Sequence, residues 1–327
     1  MTRYPSAPPL VTIFGGSGFL GRHVVQALAR RGFRMRVACR NPNRAQHLQP
    51  LGNVGQIQTI KANIRDENAI ARACEGADHV VNLVGVLVET GKQTFEALQN
   101  EGAADLARAA AKAGAGMTFV SAIGADEDSA SEYARAKAKG EQAVLDAVPD
   151  AVILRPSIMF GPEDDFFNRF GDMARFTPAL PLIGGGDTRF QPVYVADVAE
   201  VVARSVAGEL QGGAIYELGG PEVFTFKELM QIVLDQTDRK RVLMPLPKSI
   251  ASIIGGVGDF IPFGLAPLTS DQVRQLNNDN VVSDEARKDG RTLEGLGIQP
   301  HTVRAIVPSY IWRYRPEGEF TRSRGEG

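Results

Sequence analysis

The sequence predicts an α/β protein, a doubly wound parallel sheet carrying a smaller C-terminal α/β lobe. Three observations carry that expectation. Short β-branched runs alternate with helical patterns through the first half, as in a parallel sheet covered by helices. Several of these runs are continuously apolar, as strands are when both sheet faces are buried. The first run leads directly into a glycine-rich turn and a helix, at the strand end where such folds bind ligands.

The expected strands are Leu10–Phe14, Arg34–Cys39, Ile57–Ala62, His79–Val84, Met117–Ser121 and Ala151–Leu154. Helices are expected at Gly21–Arg31, Glu67–Cys74, Thr94–Ala113 and Ser131–Val148. Val24, Val25, Leu28 and Ala29 give the first of these one apolar face. Further on, Gly184–Gly186 reads as a turn and Ile215–Gly220 as a returning strand. Thr225 and Glu228 form a capping box that opens a helix reaching about Thr237. The implied organisation is a tail over 1–9, a dinucleotide-binding domain over 10–160, an interwoven substrate or docking lobe over 161–316, and a tail over 317–327.

Composition narrows the function. The 327 residues hold 36 Lys and Arg against 38 Asp and Glu, a net charge of −2. That balance argues against nucleic-acid binding, which needs a basic surface. Cys39 and Cys74 cannot build a disulfide framework. The four histidines (His23, His47, His79 and His301) have no paired-ligand spacing, so no metal site is expected. No stretch is long and clean enough to span a bilayer, and no signal-peptide core precedes Leu10.

The turn after the first strand is Gly15-Gly16-Ser17-Gly18-Phe19-Leu20-Gly21. Gly16, Gly18 and Gly21 satisfy the dinucleotide fingerprint, and Gly15, Gly18 and Gly21 its wider variant. Missing side chains let backbone approach a pyrophosphate, while the helix N-terminus supplies N–H donors and a favourable dipole. After the second strand, an NAD site usually carries an acid for the ribose 2′-hydroxyl. Here Arg40 follows, and no acid appears until Asp66. A guanidinium there can pair with a 2′-phosphate, which favours NADPH; the competing description is a solvated arginine at a strand end.

Ser121 ends the fifth strand, Tyr133 follows twelve residues on, and Lys137 lies four beyond it. On one helix, positions i and i+4 share a face, so phenol and ammonium can meet one ligand. The lysine can tune the phenol as a proton donor or acceptor, and the serine hydroxyl can hold a carbonyl oxygen. Tyr and Lys could also be plain surface residues of an amphipathic helix; the serine at the strand end makes the set specific.

With these residues in view the chain resembles the short-chain dehydrogenase/reductase superfamily, in its extended or atypical branch. Asn63-Ile64-Arg65-Asp66, Val81–Gly85, Asn100–Ala103, Leu154-Arg155-Pro156 and Gly161-Pro162 add to the likeness. The resemblance implies a Rossmann fold in which Asn63 and Ile64 flank the adenine and Leu83, Val84 and Gly85 line the adenosine ribose side. It also implies that Asn100 braces the active-site helix and that Pro156 and Ile158 lie near the nicotinamide.

The second half is less explicit. Arg189–Ala199 resembles the strand-to-helix element near the substrate pocket of extended members, while Arg169, Arg175 and Arg189 read as surface residues by default. In 242–270, Ile250, Ile253, Ile254, Val257 and Ile261 recur at helical spacing, and Pro262, Pro267 and Gly255-Gly256 prevent a membrane-spanning helix. A core helix, an interfacial element and a docking surface compete there, with the core reading ahead on the residues alone. The stretch 267–283, with Val81–Gly85 and Arg189–Val195, closely resembles the NADPH-containing 39-kDa-type accessory subunits of respiratory complex I and their bacterial relatives. That likeness implies tightly bound NADPH, complex I subunits as partners, no independent turnover, and possible peripheral membrane contact through 248–268. With no mitochondrial transit peptide before the first strand, it implies a position on the cytoplasmic face of a bacterial inner membrane. An autonomous NADPH-dependent oxidoreductase or epimerase using Ser121, Tyr133 and Lys137 is the alternative.

Overall fold

The computed structural model describes residues 8–247, 249–252, 256 and 269–317. In chain order the elements begin β1 (Leu10–Phe14), α1 (Phe19–Arg30), β2 (Arg34–Cys39), β3 (Ile57–Lys61), α2 (Glu67–Cys74) and β4 (His79–Asn82). Then come α3 (Gly102–Ala113), β5 (Gly116–Val120), α4 (Glu132–Ala147), β6 (Val152–Pro156), β7 (Met159–Phe160) and α5 (Phe166–Phe176). They continue with β8 (Ala179–Ile183), β9 (Arg189–Phe190), β10 (Val193–Tyr194), α6 (Val195–Val206), β11 (Ile215–Leu218), β12 (Phe224–Thr225), α7 (Phe226–Thr237) and β13 (Val242–Leu246).

The main sheet has seven strands in the order β11-β6-β5-β4-β1-β2-β3. Pairing is parallel from β3 through β6, with Ile13 registered between Val37 and Val81. The order reverses between β1 and β4, which places a crevice at their carboxyl ends. The predicted doubly wound sheet is therefore present, and α1 buries the expected Val24, Val25, Leu28 and Ala29.

Differences from the expected boundaries have local causes. β4 stops at Asn82 because that side chain accepts from Val84 N (3.0 Å) and turns the backbone. β5 stops at Val120, whose carbonyl accepts from Lys137 Nζ rather than continuing a ladder. The helix expected over Thr94–Ala113 opens with a π-helical turn, Glu96–Glu101, before α3. Gly102, at that junction, lies against Ile64, where a Cβ would come within 3.1 Å of Cγ1.

The chain forms two compact units, one of Met1–Arg155 with Val198–Tyr216 and one of Pro156–Asp197 with Glu217–Gly327. The second has its own core of Phe160, Phe167, Phe190, Phe224, Phe226, Leu229, Val303 and Tyr310. There α7 starts with the expected capping box, Thr225 and Glu228 bonding reciprocally. Ile250 is exposed and Ala251 buried, while Ile253, Ile254, Val257 and Ile261 lie outside the described residues, as does most of 248–268. No described helix is long and apolar enough to cross a membrane.

Candidate functional site

Loops at the carboxyl ends of β1 and β4 meet closely in the first unit. Gly15 has φ +81°, and a Cβ there would lie 2.9 Å from Leu83 C, so any other residue would be strained and clash. A Cβ on Gly21 would fall 2.4 Å from Gly15 O. Gly18 is different. It is exposed, and its Cβ would meet only Gly15 O at 3.3 Å. Packing alone barely requires this glycine, and it caps α1 with no side-chain cap and no acidic residue in the first turn. The helix N-terminus thus keeps free N–H donors and an uncompensated positive dipole end. Ser17 and Phe19 are half-buried on this turn, Phe19 packs edge-on against His23, and Leu20 points into the core.

Beside this turn, Leu83 N donates to Phe14 O (2.9 Å), and Val84 packs on the core. Asn82 is fully buried; its Oδ1 holds Val84 N, and its Nδ2 has no partner among the described residues. Asn63 holds Arg65 N (3.1 Å) through Oδ1, and Ile64 is buried against Gly102. Asn100, expected to brace the active-site helix, donates to Glu96 Oε1 within its own turn (2.7 Å). The close approach to α4 belongs to its neighbour: a Cβ on Gly140 would lie 2.1 Å from the Gln99 carbonyl.

Tyr133 and Lys137 lie on α4, which Ser131 caps by accepting from Ala134 N. Tyr133 is half-buried and packs edge-on against Phe95 at 5.7 Å. Lys137 is buried; its Nζ donates to Val120 O (2.9 Å) and sits 5.2 Å from the Phe119 ring centroid. Burial pushes its ammonium down to about 8, with Glu141 pulling the other way. Val120 precedes Ser121, whose Oγ is buried without a partner among the described residues. A Cβ on Gly85 would lie 3.5 Å from Lys137 Nζ, so β4's loop, β5's end and α4 converge. Glu141, one turn beyond Lys137, accepts two hydrogen bonds from Arg155, at 2.9 and 2.6 Å.

Arg40 follows β2 on the surface and donates to Gln93 Oε1. Pro156 and Ile158 belong to the second unit. There Asn280 Oδ1 accepts from Ser157 Oγ (2.6 Å) and Ile158 N (3.0 Å). Asn280 N donates to Arg189 O, Asp279 pairs with the Arg189 guanidinium, and Gln191 links Gly220 O to Val282 N. Sequence reasoning singled out 279–283 only as a resemblance; its anchoring role depends on partners 66 to 123 residues away. Asp197 accepts from both the backbone N and the ring of His301 in the same unit. Among the described residues no group of side chains could hold a metal.

These residues suit a dinucleotide. Gly18 keeps the helix end clear, and buried polar atoms of Asn82 and Ser121 stand without partners at neighbouring strand ends. The model of the NAD dependent epimerase/dehydratase family matches residues 11–219. The chain belongs to that family.

Within the epimerase/dehydratase family, similarity is high to "NADH dehydrogenase [ubiquinone] 1 alpha subcomplex subunit 9, mitochondrial" of Arabidopsis thaliana. Identity is 38% over 320 residues, covering 94% of this chain and 79% of the relative. The ceramide reductase of Caulobacter vibrioides is 33% identical over 190 residues, 58% of each chain. The solved NADPH-dependent quinone oxidoreductase of Escherichia coli, complexed with NADPH, superposes with a TM-score of 0.72. It is 21% identical, covers 92% of this chain and 99% of its own, and shares the fold.

Proposed function

We propose that the protein is an NADPH-holding accessory subunit of respiratory complex I, supporting assembly or stability of the membrane-proximal peripheral arm. One observation carries this reading: likeness to the plant subunit runs through 94% of the chain, well past residue 219 where the family model ends. The ceramide reductase likeness, by contrast, covers 58%.

The chain's own residues would act as follows. The Gly15–Gly21 turn and the α1 N-terminus bind the pyrophosphate through backbone donors. Arg40 leaves Gln93 to pair with the 2′-phosphate. Asn63 and Ile64 flank the adenine, Leu83, Val84 and Gly85 the adenosine ribose, and Pro156 and Ile158 belong at the nicotinamide end. Lys137 and Tyr133 hold the second ribose. When bound, the nicotinamide carries a transferable hydride. A nucleotide that binds only the native fold stabilises it by mass action, which is all a holding role requires.

The position that goes with this reading is a peripheral one, which we assign to the cytoplasmic face of a bacterial inner membrane. The test is a mild-detergent pull-down of the tagged chain from native membranes, with NADH:quinone activity and bound nucleotide assayed in the eluate. Co-elution of complex I with about one NADPH per chain, as a single holding site requires, is the expected result. A free protein lacking complex I overturns it.

The retained Ser121, Tyr133 and Lys137 favour a second reading, an autonomous NADPH-dependent reductase or epimerase. Tyr133 would then be the general acid or base, Lys137 its electrostatic tuner, and the unpartnered Ser121 Oγ the holder of a substrate oxygen. Turnover of a screened carbonyl substrate, lost in Tyr133→Phe, would select it.

A further inference from the structure

A charged pair lies behind the candidate site. Glu141 is 4% exposed and on the same face of α4 as Lys137, one turn away. Both its oxygens accept from Arg155 on β6, from Nε at 2.9 Å and from Nη2 at 2.6 Å. Lys137, equally buried, makes no ion pair with Glu141; its one hydrogen bond among the described residues goes to the Val120 carbonyl. Two buried opposite charges at this spacing would ordinarily close on each other, because the low local dielectric strengthens their attraction. The planar guanidinium fork prevents this by satisfying the carboxylate bidentately.

We propose that Arg155 and Glu141 are positioning residues, a bidentate pair that keeps the carboxylate against β6 and leaves the Lys137 ammonium at the Val120 carbonyl beside Gly85. The idea rests on the reading of Lys137 as a nucleotide-holding group. It goes further in assigning the site's electrostatic balance to a pair that touches neither cofactor nor substrate. Glu141 supplies a distant negative charge that favours the protonated lysine, and Arg155 limits how strongly that charge acts. The carboxylate's second role explains why a charged pair, a buried Glu141 with a half-buried Arg155, stands where an apolar pair of similar volume would pack as well.

Removing one partner or the other therefore has opposite consequences. Without Arg155 the carboxylate is released toward Lys137, and the ammonium is drawn off Val120 and held protonated to higher pH. Without the Glu141 charge, the buried lysine loses its proton at lower pH. A brace of purely mechanical kind would weaken the fold in both cases and move neither titration.

The test follows NADPH binding by calorimetry from pH 6.5 to 10 in the full chain, alongside urea stability of the nucleotide-free protein over the same range. Arg155→Met should move the basic midpoint of binding, and the pH at which stability begins to rise, up by about one pH unit, and Glu141→Gln should move both down by a similar amount. Arg155→Met should also weaken NADPH binding at pH 7 by about tenfold. Arg155→Lys, a single-point donor, should recover only part of that loss. The double change, Glu141→Gln with Arg155→Met, should fold better than Arg155→Met alone, since no buried carboxylate is left without its guanidinium. That variant keeps the test alive should Arg155→Met not fold. Midpoints that stay fixed, or move together, overturn the proposal while leaving NADPH holding intact. Opposite shifts in the stability curves of a protein that binds no NADPH would uphold the pair's role and sink the cofactor reading.

Discussion

Burying the Lys137 ammonium costs the fold stability. Its ammonium falls from an ordinary 10.5 to about 8 through burial, so between those values the unfolded chain binds more protons than the native one. Stability should therefore rise with pH across that window, by on the order of 3 kcal/mol, in the nucleotide-free protein. Urea unfolding at pH 7.5 and 10.5 measures the rise, and Lys137→Met should abolish it. Arg40 is tested by selectivity. Arg40→Glu should weaken NADPH by about ten- to a hundredfold, the worth of a charge-assisted pair, and leave NADH nearly unchanged; equal loss of both removes the 2′-phosphate assignment. Residue types at these positions were legible in the sequence because they occur at fixed offsets from strand ends. What Lys137 bonds to was not. Val120 O, Phe119 and Arg155 reach the α4 face only once β5 and β6 pair beside it.

At the level of elements, local patterns read well wherever the cause is local. The capping box at Thr225, the α1 apolar face and the first two strands all follow from residues within a turn or two of each other. The π turn before α3 carries no such signature, because it depends on Gln99 abutting Gly140 and Gly102 abutting Ile64. The strap at 279–283 was visible only as a likeness, since its bonds join positions far apart in sequence. Asn280→Ala should cost about 1–2 kcal/mol, because Ile158 N loses its acceptor while Ser157 Oγ keeps the backbone carbonyl of residue 280 (3.0 Å). The loss should appear as a fall in Tm. Asn280→Asp retains the accepting oxygen and should lose much less.

For the molecule as a whole, acid sensitivity has an identifiable source. His79 opens β4, its ring bonds Thr118 Oγ1 (2.8 Å), and Thr118 meets Ser205 Oγ (2.7 Å), all inside the first unit. Burial lowers the ring from 6.5 to about 4, so the native state resists a proton that the unfolded chain takes up. Stability should fall as pH drops from 6.5 toward 4, by on the order of 3 kcal/mol, and His79→Gln should flatten that slope. Two-state unfolding curves at pH 7 and 4.5 distinguish the cases.

The Thr118–Ser205 bond has a consequence for synthesis. Residues 198–216 return to the first unit only after the chain has passed through 156–197. During translation, a nascent chain ending at Arg155 has no β11 to pair with β6 and no Ser205 hydroxyl for Thr118. The first unit thus cannot be completed from the ribosome in N-terminal order, and a stop codon after 155 should yield a protease-sensitive product rather than a free-standing domain.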